Sequence, residues 1–279
     1  MDIRCLVNDI QLGMITLGLK GPLDIVMSTF DLNLNLFISE FYDPENSYDI
    51  WYWYIERNFN LDNLPRNIRL HQLERNHAKF WYLKGKDQVR LVITSANMTT
   101  QMIHGCLQSF VSVTCSLSKG LKQSLDYSTL EREYNTELND FFSVYGFRMD
   151  LALYNMIKGR LLYNIPNRRH AIENWYLSQN ELVVDSNNVN LNYLPTVKRT
   201  FYLRNTIPPS ANKIICYYNE NINDGNIKRT LTTIYTPYTT VFHYKIYYTD
   251  TCLLISSNNF SLNHRMNYEL GMLIDGKQL

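Results

Sequence analysis

One pattern occurs twice in this 279-residue sequence and restricts the possible fold more than any other feature. The first copy, residues 77–97, begins His-Ala-Lys, continues through two apolar stretches and ends Thr-Ser-Ala-Asn. The second copy, residues 243–259, begins His-Tyr-Lys, continues through two apolar stretches and ends Ser-Ser-Asn-Asn. Residues two apart in a β-strand point to the same face, so each copy presents an imidazole beside an ammonium group. The repeat therefore predicts two equivalent β-hairpins in a duplicated structure.

The chance explanation of the repeat is a pair of strand-end histidines that happen to precede lysines. A single His-x-Lys sequence carries no information, but each copy here is followed by a strand pattern and then by a turn of Ser and Asn. The second copy is four residues shorter between its Lys and its Asn, and we expect this difference to lie in the hairpin turn. The parts otherwise come in the same order, which favours a shared function for the two copies.

The two copies resemble the paired motifs of the phospholipase D superfamily, in the branch where Asn replaces the usual Asp. Within that branch the sequence is most similar to the tyrosyl-DNA phosphodiesterases. Fainter similarity covers most of the chain in the same order, including residues 16–42 and Asn-Tyr-Glu-Leu-Gly at 267–271. The resemblance implies an α/β, pseudo-symmetric, duplicated fold with two mixed β-sheets flanked by helices and packed as one unit. Its halves would be residues 1–150 and 151–279.

The resemblance also assigns a role to each member of the repeat. It implies that His77 is a nucleophile and that His243 is the general acid and base. Gln108 and Glu269 match residues of the family that brace a catalytic histidine, each reaching the histidine of the opposite half. The positions at which the family binds phosphate are matched by Lys79, Lys245, Asn97 and Asn259.

These residue types suit phosphodiester chemistry without a metal ion. Two Lys and two Asn side chains can hold the non-bridging oxygens of a phosphodiester by charge-assisted and amide hydrogen bonds. One neutral imidazole can attack phosphorus, while the other, protonated, gives its proton to the leaving oxygen and then activates water. A carboxylate beside one imidazole and an amide beside the other would separate the two roles. We expect neither a metal nor a cofactor, because the sequence shows no cluster with ligand spacing.

The implied activity is hydrolysis of 3′-phosphotyrosyl or related 3′-end adducts of DNA through a phosphohistidine intermediate. Two alternatives stay open: a phospholipase D-like nuclease or nucleotide- or RNA-end phosphodiesterase, and a non-catalytic binding protein. Asn97 and Asn259, together with Gln108 and Glu269, favour the first activity over a nuclease, and the intact His-x-Lys pair argues against a binding protein. Asn258 competes with Asn259, which we select because the two copies then align without a gap.

The sequence departs from the family at one position that bears on DNA binding. The family carries an aromatic residue four positions before the first motif histidine, where it stacks on a DNA base, and this sequence has Leu73. A stacked base contributes ~1–3 kcal/mol. We therefore expect this protein to bind DNA more weakly or through a different arrangement of contacts. The chain is also shorter than the cellular enzymes, which predicts trimmed groove loops.

Composition limits the partners and the compartment. The formal net charge is only +1, so a nucleic acid must be bound by a local groove and not by overall charge. We expect the partners to be nucleic acid 3′ ends, single-stranded DNA in particular, and a tyrosyl peptide derived from a topoisomerase, with no membrane. Five Cys without a Cys-x-x-Cys, and no apolar run of membrane-spanning length, predict a soluble intracellular protein of the nucleus or cytoplasm.

Local patterns outside the repeat predict further elements. Residues 23–30 are interpreted as a helix, and residues 32–41, which open with alternating leucines, as the strand that follows it. Apolar residues three and four apart predict an amphipathic helix over residues 124–145, ended by Gly146.

Overall fold

Two mixed β-sheets form the framework of the protein, and the strands of each come mainly from one half of the chain. The computed structural model describes residues 2–7, 9–56, 59–117, 125–179, 181–186, 200–207, 211–218, 234–236, 241–259 and 265–276. The strands of the first half are β1 Asp2–Val7, β2 Asp24–Leu32, β3 Ser47–Ile55, β4 Ile68–Gln72, β5 Phe80–Lys84, β6 Gln88–Thr94 and β7 Cys106–Ser116. Those of the second half are β8 Leu161–Ile165, β9 Arg169–His170, β10 Glu181–Ser186, β11 Thr200–Ile207, β12 Ala211–Tyr218, β13 Ile234–Thr236, β14 Val241–Phe242, β15 Lys245–Tyr248, β16 Cys252–Ser256 and β17 Glu269–Asp275.

Helices flank the two sheets. They are α1 Leu12–Thr16, α2 Leu34–Leu36, α3 Thr100–His104, α4 Leu125–Glu137, α5 Asn139–Phe142, α6 Leu151–Ile157 and α7 Ala171–Ser178. A π-helical turn, Phe37–Phe41, continues α2, and a 3₁₀ turn, Ser143–Tyr145, continues α5. The proposed boundary between the halves, near residue 150, falls immediately before α6, in the helical segment that connects the two sheets.

The order of the strands explains why the sheets are mixed. The first sheet runs β1-β7-β6-β5-β2-β3-β4, and the second runs β13-β12-β11-β10-β15-β16-β17-β8-β9. β2, β3 and β4 are parallel to one another, as are β10 and β11, whereas the strands that carry the repeated pattern are antiparallel. The short strand β14 comes from the second half but pairs with β7 of the first sheet. The predicted α/β fold with two mixed sheets and flanking helices is confirmed.

The largest core lies between the two sheets and takes side chains from both halves. Phe80 and Val111 come from the first sheet, Ile255 and Met272 come from the second, and all four are inaccessible to solvent. Phe141 of α5 and other side chains of the connecting helices complete this core. Separate cores cover the outer face of the first sheet, under α1 to α3, and that of the second, under α7. Because the central core is shared, the halves pack as one unit.

The two copies of the repeated pattern fold into antiparallel three-stranded units with the same register. Phe80 directly follows the first Lys and pairs with Ile93, four residues before the first Asn. Ile246 directly follows the second Lys and pairs with Ile255, four residues before Asn259. The third strand of each unit then brings in Gln108 or Glu269 at equivalent positions. The register makes Asn259, and not its neighbour, the equivalent of the first Asn.

The difference in length between the two copies lies in the strands, so our prediction that it lies in the turn is wrong. Residues 85–87 join β5 to β6, and residues 249–251 join β15 to β16, so the two turns are equally long. The first hairpin instead contains five paired positions and the second contains three. An extension by two residues on each strand keeps every side chain on its original face, because the side-chain period of a strand is two.

The segment from residue 23 to residue 41 has the reverse of the predicted order. The predicted helix is strand β2, and the predicted strand is α2 with its π-helical turn. β2 is flanked by β3 and β5 and packs on both faces, so its apolar residues form a continuous run without a period of two. Leu34, Phe37 and Phe41 are buried at spacings of three and four, as on one face of a helix.

The predicted amphipathic helix before residue 146 is confirmed from residue 125 onward. It consists of α4, α5 and the 3₁₀ turn, with Leu130, Tyr134 and Phe141 buried. Gly146 ends it with φ +68°, the left-handed conformation that glycine adopts most readily at a helix C-terminus. Among the described elements, no helix is both long enough and apolar enough to cross a membrane.

The shared core predicts that one deletion between the sheets destabilises the whole protein. Phe80 is fully buried and packs edge-on against Phe142 and Tyr145. We expect Phe80→Ala to lower the free energy of unfolding by about 3–5 kcal/mol, with one cooperative transition monitored by circular dichroism and by Trp fluorescence. Leu61→Ala is the control, since Leu61 is 58% exposed, and it should change stability by less than about 0.5 kcal/mol. Two separate transitions would contradict the shared core.

Candidate active site

Each His-x-Lys unit lies where the chain enters the central strand pair of its sheet. Lys79 directly precedes β5 and Lys245 opens β15, and each histidine lies two residues before its lysine. Lys79 Nζ donates to the carbonyl of His77 at 2.8 Å, and Lys245 Nζ donates to the carbonyl of His243 at 2.9 Å. Both lysines have no solvent-exposed surface. Each ammonium group is therefore held next to its own histidine by a hydrogen bond to the histidine's backbone carbonyl.

Backbone hydrogen bonds cross between the halves at both histidines. The His77 amide donates to the carbonyl of Tyr268 at 3.0 Å, and the His243 amide donates to the carbonyl of Leu107 at 2.9 Å. Tyr268 and Leu107 directly precede the two predicted braces. Each histidine is thus fixed by the third strand of the opposite copy.

The side chains of the braces reach across in the same way. His77 Nδ1 lies 2.8 Å from Glu269 Oε1, and His243 Nδ1 lies 3.1 Å from Gln108 Oε1. Glu269 and Gln108 are buried, with 1% and no exposed surface respectively. Each histidine thus contacts the brace that the resemblance assigned to it, and in both cases the histidine and its brace come from different halves of the chain.

Two serines that the sequence analysis missed hold the braces. Ser95 Oγ donates to Gln108 Oε1 at 2.8 Å, and Ser257 Oγ donates to Glu269 Oε2. Each serine also accepts a hydrogen bond from the backbone amide of the residue after its brace, at 2.9 Å and 3.1 Å. The signal was present, because a serine stands two positions before the Asn in both copies.

The hydrogen-bond network defines which ring nitrogen of each histidine carries a proton. Gln108 Nε2 donates to the carbonyl of Met102 at 2.8 Å, so Gln108 Oε1 must face His243 and accept from its Nδ1. Glu269 can only accept, so His77 Nδ1 is also a donor. Nε2 is therefore the ring nitrogen that carries the lone pair in each neutral histidine, and on His243 it lies 3.3 Å from Lys245 Nζ.

The two Asn side chains of the repeat both present an unpaired carbonyl. Asn97 Nδ2 donates to Asp31 Oδ2 at 3.3 Å, while its buried Oδ1 has no partner in the part of the chain that the structure describes. Asn259 Oδ1 is unpaired in the same sense. Asn258 also has an unpaired Oδ1, but it is fully buried and its amide nitrogen lies 3.5 Å from the hydroxyl of Tyr247. Asp31, like the two serines, is a residue that the sequence analysis missed.

Burial and mutual repulsion set the charges of the site. Burial lowers the pKa of Lys79 to about 8 and lowers the pKa of Lys245 well below its usual value, with Lys79 adding to the second effect. Burial also lowers the pKa of His77, against the attraction of Glu269. The pKa of Glu269 is lowered although burial opposes this, because His77 and Lys79 favour its carboxylate. Charged groups of one half thus change the pKa values of groups in the other half, so the two halves are electrostatically coupled at this site.

The two histidines differ in their electrostatic surroundings. Burial lowers the pKa of His243 well below the usual value, and the charges of Lys245 and Lys79 lower it further. Lys245 Nζ lies 3.3 Å from Nε2 of His243, whereas Lys79 Nζ lies 3.3 Å from Nδ1 of His77. A proton on His243 Nε2 is therefore easily lost, while a positive charge that develops on His77 is stabilised by Glu269.

Comparison with known proteins gives a match in structure and none in sequence. No protein-family model and no curated protein matches the chain. Yeast tyrosyl-DNA phosphodiesterase aligns with a TM-score of 0.56 and 12% identity, over 92% of this chain and 84% of that chain. Two mutant forms of the yeast enzyme give TM-scores of 0.59 and 0.60 at 12% identity, over 99% and 98% of this chain and 90% and 88% of theirs.

This chain has the fold of tyrosyl-DNA phosphodiesterase. The aligned length includes both sheets, so the likeness to tyrosyl-DNA phosphodiesterase extends over the duplicated framework and not over one half alone. At 12% identity the likeness is one of fold. The case for a common chemistry therefore rests on the side chains described above.

Changing the charge of each brace, by Glu269→Gln or by Gln108→Glu, should move the pKa values of the two histidines in opposite directions. Glu269→Gln removes the carboxylate that raises the pKa of His77, so we expect that pKa to fall further. Gln108→Glu adds a carboxylate at His243 Nδ1, so we expect the pKa of His243 to rise. NMR titration of the imidazole Cε1–H signals measures both. Glu131→Gln, at an exposed carboxylate bonded to Arg148, is the matched control and should leave both titrations unchanged.

The buried ammonium of Lys79 should destabilise the ligand-free protein at neutral pH. An unfolded Lys binds its proton up to about pH 10.5, whereas Lys79 releases it near a pKa of about 8. The unfolded state binds more protons between these values, so stability should rise with pH across this window, by up to about 3 kcal/mol.

Lys79→Met should reduce this rise and stabilise the protein at pH 7, as measured by urea unfolding at pH 7 and pH 10. Lys158→Met is the control, because Lys158 is 41% exposed and bonded to Glu133. An equal rise with pH in Lys79→Met and in the unmodified protein would refute the assignment.

Proposed function

We propose that this protein is a metal-independent phosphodiesterase that hydrolyses 3′-phosphotyrosyl or related 3′-end adducts of DNA through a phosphohistidine intermediate. The observation that carries the proposal is a pair of His–Lys units, one from each half, in which both lysines are buried and each imidazole is oriented by a brace from the other half. A structural role for such an arrangement is disfavoured, because burying two lysines near each other destabilises a protein.

The charges of the site support binding of a phosphodiester. With both imidazoles neutral, Lys79, Lys245 and Glu269 together carry one net positive charge. A phosphodiester carries one negative charge, and its two non-bridging oxygens can accept from the two ammonium groups and from the amides of Asn97 and Asn259. The bound anion would also raise the pKa values of both lysines and so keep them protonated. The site would in this way supply the transition-state stabilisation for which many phosphodiesterases use metal ions.

In the first step, His77 Nε2 attacks phosphorus and the bond between phosphorus and the leaving oxygen breaks. His243, which takes up a proton on Nε2 when the anionic substrate binds, gives that proton to the leaving oxygen, which departs as an alcohol or phenol. His77 becomes a positively charged phosphohistidine, and Glu269 at Nδ1 stabilises this charge. The low pKa of His243 suits the proton donor, since the proton leaves readily.

In the second step, His243 acts as a base. Its neutral Nε2 takes a proton from water, the resulting oxygen nucleophile attacks phosphorus, and the bond between phosphorus and His77 Nε2 breaks. The product is a phosphate monoester, and both histidines return to their starting protonation states. The neutral amide of Gln108 supports this alternation, because it orients His243 without favouring its protonated form.

The choice of substrate rests on the fold and on leaving-group chemistry. The chain shares its fold with an enzyme named for tyrosine joined to DNA. A phenol leaves more easily than an alkyl alcohol, so a 3′-phosphotyrosyl bond is a favourable substrate for this chemistry. The proposed partners are accordingly a nucleic acid 3′ end and a tyrosyl peptide of topoisomerase origin, in the nucleus or the cytoplasm.

The second candidate, a nucleotide- or RNA-end phosphodiesterase, uses the same chemistry. One observation favours it: Asp31 and Glu56 lie beside Asn97. Carboxylates accept hydrogen bonds from sugar hydroxyls and repel the phosphates of a long strand.

Substitution of each histidine should block a different step of the reaction. With a 3′-phosphotyrosyl oligonucleotide in EDTA, we expect His77→Ala to reduce turnover by at least roughly a thousandfold, because no phosphohistidine can form. We expect His243→Asn to accumulate a covalent protein–oligonucleotide adduct on denaturing gels. A phenol can leave without a proton donor, whereas water still needs a base.

His71→Asn is the matched control, because His71 is bonded to Asp49 and stacked on Trp51 outside the site. It should retain turnover and form no adduct. An adduct that accumulates instead in His77→Asn would exchange the two roles. Cleavage of internal phosphodiesters alone would favour a nuclease, and binding without turnover of any phosphodiester would overturn the enzymatic proposal.

A further inference from the structure

A pocket of about 510 Å³ opens beside Asn97, on the side of the site that belongs to the first half. Asp31, Tyr54 and Glu56 contribute to its wall, and the described residues that line it include no Lys or Arg. A volume of this order suits one small-molecule moiety. The acidic wall is unsuited to a groove that follows the phosphates of a strand, since such grooves are basic.

Three aromatic rings lie between this pocket and the first histidine. The Phe30 ring contacts the His77 ring edge-on, with centroids 5.1 Å apart, and contacts Tyr54 at 5.2 Å. Trp53 stacks on Tyr54 at 5.1 Å with an interplanar angle of 15°. Tyr54 is 51% exposed and lines the pocket, so its ring is available to a planar ligand.

These rings offer the stacking surface that the sequence lacks four residues before His77. The residue there, Leu73, packs against the core between the sheets. Trp53 and Tyr54 come from the C-terminal end of β3, next to Phe30 near the end of the parallel strand β2. Ligands of parallel sheets bind beyond the carboxyl ends of the strands, where these rings lie.

A polar contact joins the pocket to the phosphate-binding position. Asp31 Oδ2 accepts from Asn97 Nδ2 at 3.3 Å, and the charge of Lys79 acts on Asp31. Asn97 is 8% exposed and lines the pocket, and its Oδ1 is without a partner among the described residues. Asn97 Nδ2 has a second proton that can be donated to a ligand.

The direction of the reaction decides which part of a substrate meets this pocket. In an in-line displacement the leaving oxygen lies opposite the nucleophile, on the side of His243. The pocket instead adjoins Asn97 and, through Phe30, His77. With the leaving group on the side of His243, the pocket suits the nucleoside that stays attached to phosphorus better than it suits the group that leaves.

We propose that this pocket is a subsite for one 3′-terminal ribonucleoside, with the base stacked on Tyr54 and the ribose 2′-hydroxyl donating a hydrogen bond to Asp31. The 2′-hydroxyl is on the carbon next to the one that bears the 3′-phosphate, which matches a carboxylate one hydrogen bond away from a phosphate-binding amide. The subsite rests on the proposed phosphodiesterase chemistry, because it assumes a phosphate between the two histidines, and it favours the second candidate substrate, a ribonucleotide end, over a DNA adduct. It assigns the preferred substrate class as 3′ esters of ribonucleotides.

The test compares uridine 3′-monophosphate with 2′-deoxyuridine 3′-monophosphate as inhibitors of hydrolysis of thymidine 3′-(p-nitrophenyl phosphate). The ribonucleotide should inhibit about tenfold more strongly, as expected of one hydrogen bond to a charged group. Asp31→Ala should bring the ratio of inhibition constants close to one, and Asp31→Asn, which keeps the size of the side chain, should lower it. Glu56→Ala is the matched control and should keep the ratio, because its carboxylate is bonded to Asn33 on the pocket rim.

Stacking is tested separately with Tyr54→Ala and Tyr54→Phe. The Ala variant should weaken both inhibitors by about tenfold, and the Phe variant should bind them normally. Equal inhibition by the two nucleotides in the unmodified protein, or a ratio that Asp31→Ala leaves intact, would overturn the ribose subsite.

Failure of the proposed function itself would appear as absence of turnover on any ester. Quenching of Trp fluorescence by the same two nucleotides then measures the binding ratio without catalysis. A tenfold ratio that depends on Asp31 would support the subsite on its own.

Discussion

The structure of the site depends on an exchange of backbone and side-chain hydrogen bonds between the two halves. The strand that carries each brace belongs to one half, and the histidine that it orients belongs to the other. The same third strand also fixes the backbone of that histidine through the residue before the brace. Neither half contains a complete set of these partners, so the site exists only when the shared core holds the sheets face to face. The serines at 95 and 257 extend the exchange by one more bond on each side.

The two lysines show how such a site differs from a core built for stability. Each is fully buried and donates to a carbonyl of its own chain segment, and Lys79 also lies 5.9 Å from the centre of the Phe30 ring. These contacts satisfy hydrogen-bond donors but do not offset burial and the repulsion between the two charges, which together lower the pKa of Lys245. An anion between them would remove that repulsion. Binding of an anion at this position would therefore also stabilise the folded protein.

The sequence predicted the repeated units well because each of their features is local. The strands and the alternation of side chains between faces follow from spacing along the chain, and the shared register makes Asn259 equivalent to Asn97. The length of the turn was wrongly predicted, because spacing alone does not show where pairing of the strands ends. The segment from residue 23 to residue 41 was predicted in the wrong order, since the burial of β2 on both faces comes from neighbours distant in sequence. Asp31 was missed for a related reason. Its partner Asn97 is remote along the chain, and no spacing rule connects the two.

The sequence by itself indicated two equivalent sets of residues that the fold brings together, because a repeat of residue types in the same order is visible in one dimension. The resemblance to a known superfamily added the expected partners of those residues. Only the tertiary structure decided which ring nitrogen of each histidine faces its brace, and that the charged Glu269 lies at His77 and the neutral Gln108 at His243. It also decided the position of the acidic pocket and its aromatic wall. These properties depend on distances between groups that are far apart along the chain and on exclusion of water, and a linear sequence specifies neither until the two sheets have packed together.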